Sequence, residues 1–262
     1  MIRLVPPPQS LAGKDAVDRP VALVVALAAE RRALLDGLTS PRERRLGRLR
    51  LVLGACADQA VVLVQAGIGA ARARSALQAA AREFPFCAAW SLGFAGGLED
   101  GLTAGDLICP AVVLLDDGRQ GQAFAASPTQ AAICAALGGA HPGPLLTVET
   151  PLCTGPAKRA ARERTGAAAV DMEAAGVAAA ARDLQIPWLA IKAVVDAVRE
   201  PLPEFLTGCT MPTGDLRWRG LLGSLFIGER RRVLRRLRRA AGHSGRSLTR
   251  SLDAALRIGS SS

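Results

Sequence analysis

The sequence predicts a protein of the α/β class, in which helices cover the faces of a central sheet. Short apolar runs rich in β-branched residues alternate with stretches of helical character, and glycine-containing turns separate them. This alternation is typical of sheets whose strands are connected by helices. Half of the 262 residues are hydrophobic, so the chain can bury a full core as one domain or at most two.

The first half of the chain shows the alternation most clearly. Residues 21–27 form an apolar run typical of a buried strand, and Gly67 and Gly69 end a later run before a helical stretch. On this pattern strands are predicted at residues 21–27, 50–53, 60–65, 87–92 and 106–115, and helices at residues 29–38 and 70–84.

The second half repeats the pattern and ends in a tail of different composition. Pro156 suits a first helical turn, Gly166 suits a helix end, and Asp171 can cap the next helix. Strands are predicted at residues 167–170 and 187–195, and helices at residues 155–165, 172–184, 216–226, 229–241 and 247–256. The expected division is a flexible leader (1–19), an α/β domain (20–206) and an Arg-rich helical extension (207–262).

Composition excludes several classes of protein. Residues 228–262 hold ten arginines and two acids, whereas the other 227 residues hold 23 basic and 21 acidic side chains. A nearly neutral body with 3% aromatic residues argues against a nucleic-acid surface. No apolar run approaches the roughly 20 residues that span a bilayer, and no secretion signal is evident, so the expected location is the cytoplasm. The six cysteines and two histidines lack the spacing of a metal site, so no metal is expected.

Three acids follow predicted strands at the edge where open α/β sheets bind their ligands. They are Glu30, Glu173 and Asp196, and their carboxylates are expected to converge on one pocket. Each also has an ordinary structural interpretation. Glu30 and Glu173 suit a first helical turn, and Asp196 suits a helix cap.

The turn Gly67-Ile68-Gly69 could be taken for a dinucleotide-binding fingerprint. Arg72 stands where the third glycine is expected, and no acid ends a strand about 20 residues later, so this interpretation is disfavoured. Two interpretations stay open: a tight turn that lets a ligand approach a helix N-terminus, or a strand-to-helix turn without a ligand.

Taken together, the segments resemble the nucleoside phosphorylase and nucleosidase superfamily. The resemblance covers about residues 21 to 200, and its five segments occur in the expected order. They are Ala26-Leu27-Ala28-Ala29-Glu30, Gly67-Ile68-Gly69, Leu92-Gly93-Phe94-Ala95-Gly96-Gly97-Leu98 with Gly105-Asp106, Ala169-Val170-Asp171-Met172-Glu173 and Val194-Val195-Asp196-Ala197. The resemblance implies a three-layer αβα fold around a central, mostly parallel mixed sheet.

The resemblance also implies roles for individual residues. Asp196 would protonate the purine at N7, which makes the base a better leaving group. Glu30 would position the attacking water, and Glu173 would accept hydrogen bonds from the ribose hydroxyls. Met172 would pack on the ribose, and the remaining substrate-binding positions would be Phe94, Ala95, Gly96, Gly67 and Gly69. No cofactor is implied, although inorganic phosphate is an open alternative to water as co-substrate.

Within the superfamily the chain is most similar to the hopanoid-associated phosphorylases. The similarity includes Phe94, the segment Pro156-Ala157-Lys158-Arg159 and an Arg-rich tail, and it implies cleavage of adenine from adenosylhopane, a lipid nucleoside. Ser91 and Phe94 replace the Arg and Ser with which phosphorylases bind phosphate, which favours water as the nucleophile. The resemblance to a phosphorylase branch favours phosphate instead, so hydrolysis and phosphorolysis both stay open.

Several alternatives stay open at this stage. One is a methylthioadenosine/adenosylhomocysteine nucleosidase, and another is a non-catalytic nucleoside- or lipid-binding protein. The expected partner is a small nucleoside rather than nucleic acid, and the family resemblance implies a homo-oligomer. The basic tail either contacts an anionic membrane surface or is a solvated helix packed on the body or on a partner subunit.

Overall fold

A central mixed sheet of twelve strands organises the chain in the computed structural model, which describes residues 3–5, 19–116, 121–199 and 228–259. The strands are β1 (Arg3–Val5), β2 (Val21–Val25), β3 (Thr39–Leu46), β4 (Leu49–Cys56), β5 (Gln59–Gln65), β6 (Ala88–Gly97), β7 (Leu107–Ile108), β8 (Val112–Asp116), β9 (Gln122–Ala125), β10 (Leu145–Val148), β11 (Ala169–Asp171) and β12 (Trp188–Asp196). The helices are α1 (Ala28–Leu35), α2 (Ala70–Ala81), α3 (Pro128–Ala136), α4 (Gly155–Thr165), α5 (Ala174–Asp183) and α6 (Gly228–Gly259).

The strand order is β1-β9-β8-β10-β11-β6-β2-β5-β4-β3, and β12 pairs with both β6 and β7. The pairs β2–β5, β2–β6 and β6–β12 are parallel, so the carboxyl ends of these central strands lie at one edge of the sheet. The antiparallel pairs β3–β4, β4–β5, β8–β9, β6–β11 and β7–β12 make the sheet mixed, as expected.

Two apolar cores lie on opposite faces of this sheet. On one face the small side chains of α2 and α5 pack on the strands, and Ala76, Ala80 and Ala178 are fully or almost fully buried. On the other face α1, α3 and α6 contribute Leu34, Ile133 and Leu252, all at 0% exposure. The predicted three-layer αβα architecture is therefore confirmed.

Several elements differ from the sequence prediction. Regular structure begins before Pro20, because β1 pairs with β9 in parallel. The strand predicted at residues 106–115 is two strands, β7 and β8, separated by a segment that contains Pro110, which cannot donate to a ladder. The strands β3, β9 and β10 and the helix α3 were not predicted.

The two helices predicted at residues 229–241 and 247–256 are one continuous helix, α6. Its two internal glycines, Gly242 and Gly245, do not end it. A Cβ added to Gly245 would lie 2.9 Å from the Cβ of Ala33, so this glycine allows α6 to approach α1 closely. The buried side chains of Leu248, Leu252 and Leu256 make the second half of α6 part of the helical layer. The boundary predicted at residue 206 and the helix predicted at residues 216–226 lie outside the described residues.

Among the described residues, no helix combines the length and the apolar character that a membrane span requires.

Candidate active site

The carboxyl ends of β2, β5, β6, β11 and β12 bring together the segments that the sequence singled out. Glu30 contacts the segment after β2 and residue Phe94 of β6, while Glu173 contacts Gly69 after β5. Asp196 ends β12 beside Gly96 of β6. These contacts place the three predicted acids at neighbouring positions along one edge of the sheet.

Glu30 lies in the first turn of α1, but its carboxyl group is buried and bound by backbone N–H groups rather than exposed to solvent. Its side chain is 3% exposed. Oε2 accepts hydrogen bonds from the backbone N–H groups of Ala26 (2.9 Å) and Leu27 (2.8 Å), and Oε1 accepts one from Phe94 (2.7 Å). Burial raises the pKa of Glu30 above its ordinary value, while Lys192 and the three N–H donors oppose this rise. A Cβ on Gly93 would lie 2.5 Å from Oε1, so this position of the carboxyl requires glycine there.

Glu173 is joined to the glycine turn after β5. The Gly69 N–H donates to Glu173 Oε1 at 2.9 Å, and the Glu173 side chain is 9% exposed. The two segments meet because α2 and α5 pack closely: a Cβ on Gly176 would lie 2.0 Å from the Ala70 carbonyl oxygen. Burial, helped by the nearby Asp171 carboxylate, raises the pKa of Glu173 to about 8.

A buried lysine, Lys192, stands among three carboxyl groups. Its Nζ lies 2.9 Å from Asp171 Oδ2, and both side chains are almost completely buried. Asp171 also accepts hydrogen bonds from the Thr147 hydroxyl and from the N–H of Ala174, the first residue of α5. The helix begins two residues later than predicted, and Glu173 rather than Asp171 is its N-cap residue. Burial alone would lower the pKa of Lys192, but Asp171, Glu173 and Glu30 together raise it above its ordinary value. Lys192 therefore supplies the positive charge that balances this cluster.

Asp196 occupies the end of β12 just after a β-bulge. Val194 pairs with Ala95 and Asp196 pairs with Gly96, so Val195 is the extra residue that re-aims the acid. The Asp196 side chain is 3% exposed and forms an ion pair through Oδ2 with Lys158 of α4, which is 1% exposed. Burial raises the pKa of Asp196 to about 6, although Lys158 and Arg236 act in the opposite direction. A carboxyl group with this pKa can hold or release a proton near neutral pH.

The remaining predicted positions surround these acids. Ala95 and Gly67 are buried, whereas Phe94, Gly96, Gly69 and Met172 are half-buried. Gly67 and Gly69 have φ values of 83° and 109°, which explains the preference for glycine in this turn. Ser91 is 0% exposed and its hydroxyl oxygen is buried, so this hydroxyl is not accessible to a ligand.

Replacement of Glu173 by Gln should change the pH dependence of stability. Because the pKa of Glu173 rises from 4.5 to about 8 on folding, its contribution to stability is lost as the pH rises between these two values. The Gln variant lacks this loss, so its free energy of unfolding relative to the wild type should increase by on the order of 3 kcal/mol from pH 5 to pH 8. Urea unfolding at several pH values measures this difference.

The exposed acid Glu163 provides a matched control for that measurement. Glu163→Gln should leave the pH dependence as in the wild type, because its carboxyl is solvated in both states. Parallel stability curves for Glu173→Gln and the wild type would contradict the expectation.

Sequence reasoning missed the two buried lysines and Thr147. The sequence contains only three lysines, and Lys192 interrupts the otherwise apolar strand β12. A charge at such a position is costly unless it is paired, which was a usable signal. Lys158 and Thr147 carried no comparable signal, because their partners are 38 and 24 residues away in the sequence.

Comparison with known proteins finds relatives in sequence and in fold. A curated relative, the 5'-methylthioadenosine/S-adenosylhomocysteine nucleosidase of Shewanella denitrificans, is 26% identical over 203 residues, which cover 70% of this chain and 88% of the relative. The corresponding Neisseria meningitidis enzyme, solved with methylthio-immucillin-A, has a TM-score of 0.71 at 20% identity and covers 91% of this chain and 99% of its own. Futalosine hydrolase of Helicobacter pylori has a TM-score of 0.70 at 14% identity, with coverages of 91% and 97%.

The family model described as "Phosphorylase superfamily" matches residues 20–209, which include all five motif segments and every predicted site residue. The chain therefore belongs to the phosphorylase superfamily.

Proposed function

We propose that this enzyme cleaves the N-glycosidic bond of an adenine nucleoside, with Asp196 as the general acid. The observation that carries the proposal is the buried Asp196 carboxyl, whose pKa of about 6 suits proton donation near neutral pH. The proton of Asp196 passes to N7 of the base as the C1′–N9 bond breaks, and the bond electrons leave with the purine. The names of the nucleosidase relatives support the same reaction.

Water is the proposed nucleophile, and the charge of the site supports this choice. Glu30, Glu173 and Asp171 contribute three carboxyl groups around the single ammonium group of Lys192. Asp171 already pairs with the Lys192 ammonium group at 2.9 Å, and a pKa of about 8 keeps Glu173 protonated near neutral pH. This cluster therefore has no excess positive charge to attract a phosphate dianion, whereas a neutral water needs none. Glu30 would orient the water and accept its proton as the oxygen bonds to C1′. Inorganic phosphate stays the alternative co-substrate, and the proposed reaction uses no metal or organic cofactor.

The ribose would be held by Glu173 and Met172, which lie side by side at the end of β11. Glu173 Oε2 is left for the ribose hydroxyls because Oε1 already accepts from Gly69. Gly67, Gly69, Ala95 and Gly96 would let the sugar and base approach the backbone closely. Phe94, whose backbone N–H donates to Glu30, is an apolar residue that is only half-buried, which favours an apolar 5′-substituent.

The proposed substrate is accordingly a 5′-substituted adenosine such as adenosylhopane in hopanoid biosynthesis. The resemblance to the hopanoid-associated branch supports this substrate. The alternative is a methylthioadenosine/adenosylhomocysteine nucleosidase, which the names of the curated relatives favour. A non-catalytic nucleoside- or lipid-binding protein on the same fold is the alternative of another class, and the complete set of acids argues against it.

Incubation with adenosylhopane and with methylthioadenosine, each with and without phosphate, tests these proposals. We expect free adenine in both conditions. Water labelled with ¹⁸O should deliver its label to the sugar, whereas a phosphorylated sugar that forms only with phosphate would replace hydrolysis by phosphorolysis. Binding of both nucleosides without adenine release would contradict the enzymatic proposal.

Sedimentation of the same sample tests the proposed homo-oligomer.

We further propose that the cytoplasmic enzyme contacts an anionic membrane surface through the start of α6. Arg235, Arg238 and Arg239 are all exposed on this helix. Each exposed arginine contributes about 1 kcal/mol near an anionic leaflet. A lipid-linked substrate would require such a contact, since its apolar part stays in the bilayer.

Replacing Arg235, Arg238 and Arg239 by Gln should weaken binding to phosphatidylserine-containing vesicles by about 100-fold at low salt. The matched control replaces Arg42, Arg45 and Arg48, which are exposed in and next to β3 and carry the same total charge. The control should bind nearly as well as the wild type. Equal losses in both variants would show a general charge effect and contradict the membrane proposal.

A further inference from the structure

Lys158 of α4 is completely buried against the end of β12. Counted over the whole residue its exposure is 0%, and its ammonium group contacts three acceptors on Asp196 and Ala197. Nζ forms the ion pair with Asp196 Oδ2, and it donates to the backbone carbonyl oxygens of Asp196 (3.1 Å) and Ala197 (3.4 Å). An ammonium group has three donors, so this set of acceptors satisfies all of them and fixes the lysine in place.

The ion pair leaves the two oxygens of Asp196 in different surroundings. Oδ2 is held by Lys158, whereas Oδ1 lies 3.3 Å from the position that a Cβ on Gly96 would occupy. The same Cβ would lie 3.2 Å from Lys158 Nζ, so glycine at residue 96 keeps this space open. The geometry therefore presents Oδ1 toward the glycine-rich end of β6, where the substrate segments meet.

We propose that Lys158 is a positioning residue: it holds Asp196 by Oδ2, directs Oδ1 at the leaving base and stabilises the carboxylate that remains after proton transfer. The inference rests on the proposed role of Asp196. Before the reaction the proton is on Oδ1. During the reaction it moves to N7, and the negative charge left on Asp196 is shared with the ammonium group of Lys158.

A buried ion pair by itself is weak evidence for a stabilising role, because desolvation opposes the Coulomb attraction. Here the attraction assists the reaction, because the Lys158 ammonium group attracts Asp196 most strongly after Asp196 has lost its proton. The charged groups that act on Asp196 are Lys158 from α4 and Arg236 from α6, and both lower its pKa against the effect of burial. Without Lys158 the acid would be weaker and would stay protonated to higher pH.

Lys158→Met removes the charge and keeps the length of the side chain. We expect the pKa of Asp196, followed by ¹³C NMR of labelled aspartate, to rise by about 1–3. The alkaline limb of kcat/KM for adenine release should move in the same direction, and its plateau should fall by about 10- to 100-fold. Lys158→Arg should restore most of both quantities, because it returns the positive charge.

Hydrolysis of a nitrophenyl riboside distinguishes a loss of acid positioning from general damage to the active site. Its leaving group departs as a stable anion without protonation, so Lys158→Met should hydrolyse it within about threefold of the wild type. The exposed Arg164 of the same helix provides the control, and Arg164→Met should leave both reactions unchanged. The double variant Lys158→Met/Asp196→Asn buries no unpaired carboxylate, and its adenine release should equal that of Asp196→Asn alone.

An unchanged Asp196 titration in Lys158→Met, or equal losses on the nucleoside and the nitrophenyl riboside, would overturn the proposal. So would an additional loss in the double variant. The NMR titration needs no turnover, so it tests the ion pair independently. A wild-type protein that releases no adenine would instead contradict the proposed function and with it the catalytic use of this pair.

Discussion

Asp196→Asn should lower kcat/KM for adenine release by about 10²–10⁴-fold while the protein stays folded. An amide has no acidic proton to give to N7, so the purine must leave as a poorer leaving group. The Asn side chain has nearly the same shape, and its carbonyl oxygen can still accept a hydrogen bond from Lys158 Nζ, which contacts Asp196 Oδ2 in the wild type. The loss should therefore come from chemistry rather than from unfolding. Adenine release, measured together with the melting temperature, checks both parts.

Two controls sharpen this test. The nitrophenyl riboside needs no proton from the enzyme, so Asp196→Asn should hydrolyse it within a few-fold of the wild-type rate. Asp253→Asn changes a half-exposed acid that pairs with Arg257 on α6, and it should leave adenine release unchanged. Near-normal adenine release by a folded Asp196→Asn protein would contradict the general-acid role.

Leu252→Ala should lower the free energy of unfolding by about 2–5 kcal/mol. Leu252 lies on α6 at 0% exposure and packs in the core that α1, α3 and α6 form on the sheet. Truncation to Ala removes buried methyl groups and leaves a cavity, because the surrounding strands cannot close around it completely. Denaturant unfolding of the purified variant measures the loss.

The matched control is Leu237→Ala on the same helix. Leu237 is only half-buried, so its truncation should cost less than about 1.5 kcal/mol. Similar losses in the free energy of unfolding for Leu252→Ala and Leu237→Ala would contradict the expectation that only the second half of α6 stabilises the core. Because the second half of α6 is core, deletion of residues 228–262 would remove buried surface, and the membrane proposal is better tested by changing charges.

The sequence allowed most of the central elements and the acidic positions to be predicted. The apolar run of β2, the turn at Gly67 and Gly69, and the end of β12 are local patterns, so they are readable without tertiary information. The strand β3 was missed because seven of its eight residues are exposed and polar residues dominate it, which hides the usual alternation. The strand β1 was missed because three residues give no pattern.

The sequence by itself determined that Glu30, Glu173 and Asp196 follow strands in an α/β fold, since strand ends and helix starts depend on neighbouring residues. Only the tertiary structure decided the pKa values of these acids and the partners that hold their carboxyl groups in place. The bulge at Val195, the pairing of Lys158 with Asp196 and the pairing of Lys192 with Asp171 join residues that are distant in the chain. Burial then raises the pKa of Asp196 and Glu173, and desolvation is a property of the packed molecule rather than of any segment. The same packing makes α6 one helix through two glycines.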